Sequence, residues 1–161
     1  LKMGEYSEKL NHDWYESLSW YMKAFEHSQR VEPLIKISEY YKNKNNLILS
    51  HTFIKLACDL KFPNCILFVD KFSYDYKRWH LLGICSYYIQ KYQDGKNGCL
   101  IAIENGQKYN ICVEIDKSNF ENNENLWGFW ESNEFIWDEY DYDKRDIEIL
   151  NRFDLKKQIG E

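Results

Sequence analysis

Glycine and proline are scarce in this chain of 161 residues, at seven and two. So few turn formers argue against a strand-rich sandwich and for long helices. No apolar run is long enough to cross a bilayer, and no signal peptide is visible. No Gly-rich phosphate loop is present. The five cysteines (Cys58, Cys65, Cys85, Cys99, Cys112) are odd in number and lack CxxC spacing. The expectation is reduced thiols in a cytoplasmic compartment, mostly buried as small apolar residues, with a Cys58–Cys65 disulfide left open. The four histidines (His12, His27, His51, His80) have no partner at zinc spacing, and no nucleophilic triad follows from sequence order. Neither a metal nor a cofactor is expected, and neither is an enzyme. The first residue is Leu1 rather than methionine, so the sequence is expected to be a fragment or a processed product.

What is present is apolar and aromatic. Hydrophobic residues make up 44% and aromatics 17%, which excludes disorder throughout. The length is that of one ordinary domain. Charge is unevenly placed: residues 1–117 carry 16 basic and 14 acidic side chains, residues 118–161 carry 5 and 12. The acidity therefore belongs to the C-terminal quarter and argues against nucleic acid as its ligand.

Helical stripes recur at spacings of three, four and seven. Trp79, Leu82 and Gly83 share one face of a helix, and Gly95, Cys99 and Ala102 share a face of the next, across a turn at Tyr92. Small residues at a helix crossing allow close backbone approach. Leu34, Ile37 and Ser38 match the first set, and Ser50, Ile54 and Ala57 the second; Leu34–Ala57 and Trp79–Ala102 are both 23 residues long. Trp14, Ser17, Tyr21 and Ala24 give one more copy, with Asp13 as N-cap and the partner helix in the preceding dozen residues. Helices are expected over Asp13–His27, Val31–Lys42 and Leu47–Asp59, with Pro33 tolerated in a first turn. Ala24 to Ala57 is 33 residues and Ala57 to Ala102 is 45, so an insertion of about eleven residues falls between units, at 60–76. Its apolar run Ile66-Leu67-Phe68-Val69 is expected to cover the joint. One further helix is expected from Lys108, with Tyr109, Ile111, Cys112 and Ile115 capping the stack. A linker at 119–127 leads to an acidic, aromatic stretch, and the chain ends in a helix striped by Ile147, Leu150 and Phe153.

With this pattern the chain resembles the tetratricopeptide-type repeat proteins. A narrower likeness is to the repeat segments that follow the catalytic domain in family-2-type glycosyltransferases of bacteria and large DNA viruses. It is carried by Glu32-Pro33-Leu34, Leu67-Phe68-Val69, Tyr74-Asp75-Tyr76 and Arg78-Trp79. The likeness covers about residues 10–117 and includes no catalytic domain. It implies an all-α fold: a TPR-like α-solenoid over 1–117, with about three units of which the first is incomplete. Residues 118–161 form the acidic aromatic extension with its terminal helix.

What the resemblance implies for function is a non-catalytic scaffold or adaptor that takes a protein or peptide partner. The groove would be lined by Glu32, Ile35, Glu39 and Lys42 in one unit and Lys77, His80, Ile84 and Tyr87 in the next. Ordinary solvated helix surface is the other reading of those positions. In the tail, Trp127, Trp130, Trp137, Tyr140 and Tyr142 either cap the last helix or dock, with Trp130, Trp137, Tyr140 and Tyr142 as anchors. Asp141 and Asp143 spell the DxD of glycosyltransferases, but no nucleotide-binding fold precedes them, and solvated acids are the expected reading. The alternative function is an accessory or remnant repeat module of a glycosyltransferase, acting in glycan assembly.

Overall fold

A computed structural model describes residues 1–64 and 69–133, with side chains up to Leu126. The chain divides into two compact units, Leu1–Leu126 and Trp127–Glu161. Seven helices occupy the described residues, and no strand is found among them: α1 (Lys2–Lys9), α2 (Trp14–Ser28), α3 (Val31–Asn43), α4 (Leu47–Asp59), α5 (Arg78–Tyr88), α6 (Tyr92–Lys108) and α7 (Glu114–Asn133). No helix of the described residues is long and apolar enough to cross a membrane.

The helix boundaries follow local chemistry. Asp13 caps α2 by accepting a hydrogen bond from Tyr15 N at 2.9 Å, and Asn46 caps α4 by accepting one from Leu49 N at 3.2 Å. Pro33 sits in the first turn of α3, where its missing N–H costs no intrahelical bond. The turns α1–α2, α3–α4 and α5–α6 share one construction. Each has a residue in the left-handed region, Asn11, Asn45 and Gln90. The next residue's N–H reaches back five positions: His12 to Ser7 O at 3.0 Å, Asn46 to Tyr41 O at 2.8 Å, Lys91 to Ser86 O at 3.0 Å. This bond satisfies a carbonyl that the helix end leaves open. Asn110 and the bond from Ile111 N to Gly106 O, 3.0 Å, repeat it before α7.

Each helix from α1 to α6 packs on its neighbour in sequence, and α3 also touches α5. The central apolar cluster joins Val31, Leu34 and Ile35 of α3, Ile54, Ala57 and Cys58 of α4, and Leu81 and Leu82 of α5. Where α3 crosses α4, Ser38 Oγ donates to Ser50 O and Ser50 Oγ donates to Ser38 O, both at 2.9 Å, so two buried hydroxyls are satisfied. Where α5 crosses α6 the backbones come closer still. A Cβ on Gly98 would stand 2.9 Å from Trp79 O and 3.0 Å from Gly83 N, and one on Gly83 would stand 2.5 Å from Cys99 Sγ.

Several expectations change here. Gly98 makes the α5 crossing, whereas Gly95 faces Asn123 of α7. The segment read as a linker from 119 is helical, so the first compact unit runs to Leu126 rather than 117. Tyr109, Cys112 and Ile115 do not cap the stack; they are exposed, and Val113, Asp116 and Asn123 are buried instead. The insertion is partly helical: residues 71–72 lead into a π-helical turn, Ser73–Lys77, that runs straight into α5. Residues 66–68 of the apolar run and the terminal helix lie outside the described residues, while Val69 packs against the central cluster.

Replacing Gly98 with alanine should destabilise the chain by about 1–3 kcal/mol despite alanine's better helix propensity, because backbone on two sides blocks the added methyl group. Urea unfolding followed by circular dichroism measures this, and an unchanged midpoint would disprove the close crossing.

Candidate partner groove

The positions expected to line a groove fall into three environments. Glu32 and Ile35 are not on a surface at all. Ile35 is 1% exposed inside the central cluster, and Glu32 is 9% exposed. The insertion covers them. Asp70 N donates to Glu32 Oε1 at 3.2 Å, Val31 N donates to Tyr74 Oη at 3.4 Å, and Val69 and Tyr74 pack on the same cluster as Ile35. An uninterrupted pair of units would leave these positions open. Here the residues before α5 fill the space, which corrects the reading of Glu32 and Ile35 as partner contacts.

Glu39 and Lys77 form the second environment. They meet across α3 and the start of α5 at 2.7 Å, and Lys36 stands 3.8 Å from Glu39. Glu39 and Lys77 are therefore paired within the protein. Lys42, Ile84 and Tyr87 are half-buried beside them, with Tyr87 edge-on to Tyr88 and Tyr92 at 5.2 and 6.3 Å.

His80 belongs to a buried polar tie. Its Nδ1 donates to Asp116 Oδ1 at 2.7 Å, and Tyr76 Oη donates to Asp116 Oδ2 at 2.9 Å. Asp116 is fully buried, and its place in the first turn of α7 suits a carboxylate. Both its oxygens are bonded, as a buried charge requires. Burial and the neighbouring carboxylate push the Tyr76 phenol well above its ordinary value. The cluster fastens α7 to α5, so His80 is a structural member and not an open contact. Trp130 is in α7 with its side chain outside the described residues, and Trp137, Tyr140, Tyr142, Asp141 and Asp143 lie outside them entirely.

Sequence reasoning missed the role of Arg78. Its Nε donates to Tyr74 O at 2.7 Å, and its Nη1 donates to Ala57 O and Leu60 O at 2.9 and 2.7 Å. The guanidinium also stands over the rings of Tyr74 and Trp79, at 5.3 and 4.9 Å from their centroids. It closes the C-terminal end of α4 and holds the inserted helix against it. A second concavity, an open cleft of about 710 Å³, lies at the turn edge between Asn45–Ile48 and Tyr88–Lys91, with Ile48 and Tyr88 exposed. Its one sequence signal was apolar residues immediately after a polar turn.

The buried thiols of Cys58, Cys85 and Cys99 are chemically quiet. Burial pushes Cys58 and Cys99 up to about 12 and raises Cys85. Cys58 is a free thiol, and Cys65, its partner in the bridge left open above, lies outside the described residues. No group of three or more His, Cys, Asp or Glu residues able to hold a metal occurs among the described residues. No known protein family, curated protein or solved structure matches the chain.

Three outcomes follow from these contacts and burials. Changing Arg78 to lysine keeps a charge but loses the planar fork, and should cost about 2–3 kcal/mol in urea unfolding. Lys55→Gln, which removes a half-exposed pair with Asp94, should cost under about 1 kcal/mol, and equal losses would deny Arg78 its capping role. Iodoacetamide at pH 8 should modify Cys112 in the folded chain and reach Cys58, Cys85 and Cys99 only in denaturant, as read by peptide mass spectrometry. Because the folded thiols of Cys58 and Cys99 titrate near 12 and ordinary ones at 9.0, stability is complete below pH 9.0 and falls as pH rises through that interval.

Proposed function

We propose that this chain is an α-solenoid of tetratricopeptide-like units that serves as a non-catalytic scaffold for a protein or peptide segment. The supporting observation is the recurrence of one turn geometry: Asn11 and Asn45 are 34 residues apart, and Asn45 and Gln90 are 45 apart, the same period plus the insertion. The packing of each helix on its neighbour in sequence agrees with this arrangement.

The partner surface in this reading is what the insertion leaves open on the first helices of the units: Glu39, Lys42, Lys77, Ile84 and Tyr87. Its paired charges and half-buried apolar groups favour a short segment with an apolar anchor and mixed charges. A glycosyltransferase-associated module is the second reading. One observation favours it: Leu34, Val69, Tyr74 and Trp79, which carry part of that resemblance, share one cluster. Tyr74 reaches Val31 beside Glu32-Pro33-Leu34, and Arg78 binds Tyr74 O and stacks with Trp79. They act as a folding unit, so this likeness speaks to a shared architecture and not to an activity.

Selection of a displayed random-peptide library on the purified chain tests the scaffold reading. Enriched peptides should bind the chain and lose at least about tenfold in affinity with Ile84→Glu, and they should tolerate Leu56→Glu on an exposed face of α4. Failure to enrich any peptide, or indifference to Ile84→Glu, would remove the groove from consideration.

A further inference from the structure

The open cleft of about 710 Å³ lies between two turns of the same construction. One wall is residues 45–48, where α3 turns into α4, and the other is residues 88–91, where α5 turns into α6. Ile48 and Tyr88 face each other's turns from opposite walls and are 68% and 64% exposed. The Tyr88 ring stands edge-on to Tyr87 at 5.2 Å. Leaving both apolar groups in water forfeits the gain from burying them, and a cleft of this size has room for an apolar side chain between its walls.

Charge specifies what else an occupant carries. Lys91 is the one charged side chain in the walls, and Lys44 adjoins Asn45. Neither lysine is in an ion pair among the described residues. Lys44 stands 5.8 Å from the Tyr40 ring, whereas Lys55, Lys77 and Lys96 of the same two hairpins each have a carboxylate within 2.7–3.0 Å. The first turn of α4 has no acid, and the acid in the first turn of α6, Asp94, is taken by Lys55 at 2.7 Å with His51 at 3.5 Å. Lys91 also holds the N-cap position of α6 without capping it, where Asn46 in the preceding turn accepts from Leu49 N at 3.2 Å. A cation is the unfavourable sign at a helix N-terminus, so the stability of α6 does not account for Lys91.

We infer that this cleft binds an acidic segment of a partner protein, with one large apolar side chain seated between Ile48 and Tyr88 and neighbouring carboxylates on Lys91 and Lys44. What identifies the occupant is charge complementarity: the cations at the cleft are unpaired, no acid lines it, and the exposed apolar pair receives the anchor. Two lysines are few for a polyanion held by its phosphates, which favours a peptide over a nucleic acid. The cleft shares no residue with the groove on the first helices, so each reading stands or falls alone.

The probe is a fluorescent peptide with the core Asp-Glu-Trp-Glu-Asp between Gly-Ser flanks, titrated with the full chain in low salt. Anisotropy should rise saturably. Serine in place of the peptide's tryptophan, or Lys91→Glu or Ile48→Ser in the chain, should each weaken binding at least about tenfold. Ile84→Glu in the groove should leave it unchanged. Salt at about 0.3 M should weaken it several-fold, as exposed charge contacts require. Lys91 and Ile48 are exposed, so both variants should melt like the parent; if Lys91→Glu does not, Lys44→Glu takes its place. The proposal is overturned by no saturation at about 1 mM chain, or by binding indifferent to the lysine and Ile48 variants. It is overturned too if a labelled oligothymidylate of about twelve nucleotides binds more tightly than the peptide with the same lysine dependence. Lys91-dependent self-association without peptide binding has the same consequence, since the occupant would then be a second copy.

Discussion

A helix end buried against another element must find donors for its last carbonyls, and at the end of α4 that donor is Arg78. The insertion between α4 and α5 depends on this. Two of the guanidinium's three bonds close α4 and the third binds the π-helical turn. The turn then sends Tyr74 and Tyr76 to opposite sides. Tyr74 enters the α3–α4 cluster, and Tyr76 packs by Gly106 and bonds Asp116 of α7. One short segment thus joins elements on both sides of it, and the price is the loss of Glu32 and Ile35 from the surface. A π-helical turn fits this task because its wider ring shifts the side-chain register within one helix.

Much of the helical skeleton was legible in the residues. The end of α2's stripe, the span of α4 and the cap at Asp13 all follow from local periodicity and capping chemistry, which act within a few residues. The groove was not legible to the same degree. Ile35 faces outward on an isolated α3, and it becomes core in one cluster with Tyr74, about forty residues on. Periodicity carries no information about such a contact.

The failure at α7 has a different physical cause. Val113, Asp116, Phe120 and Asn123 fall at spacings of three, four and three, which is a helical stripe. Two of its four members are polar, so a hydrophobicity reading finds a linker. Those two are fully buried because they have specific partners: Asp116 takes Tyr76 and His80, and Asn123 fits the space left by Gly95 and donates to Asn119 O. A buried polar residue can continue a stripe when facing elements complete its bonding, as Tyr76 and His80 do for Asp116.

The joints between successive helical hairpins also show how one arrangement tolerates very different side chains. Two large rings, Trp14 and Tyr40, meet at α2–α3, a hydroxyl and a thiol at α4–α5, and an amide against a bare glycine at α6–α7. Bulk at these contacts falls along the chain. Helix separation is set by the residues at the contact, so successive hairpins need not sit at equal distances, and each joint specifies its own neighbour. A helix suited to one joint is a poor fit to another: an aromatic opposite Asn123 has no room, and glycine opposite Tyr40 leaves a void. The side chains that differ from joint to joint therefore distinguish the hairpins from one another.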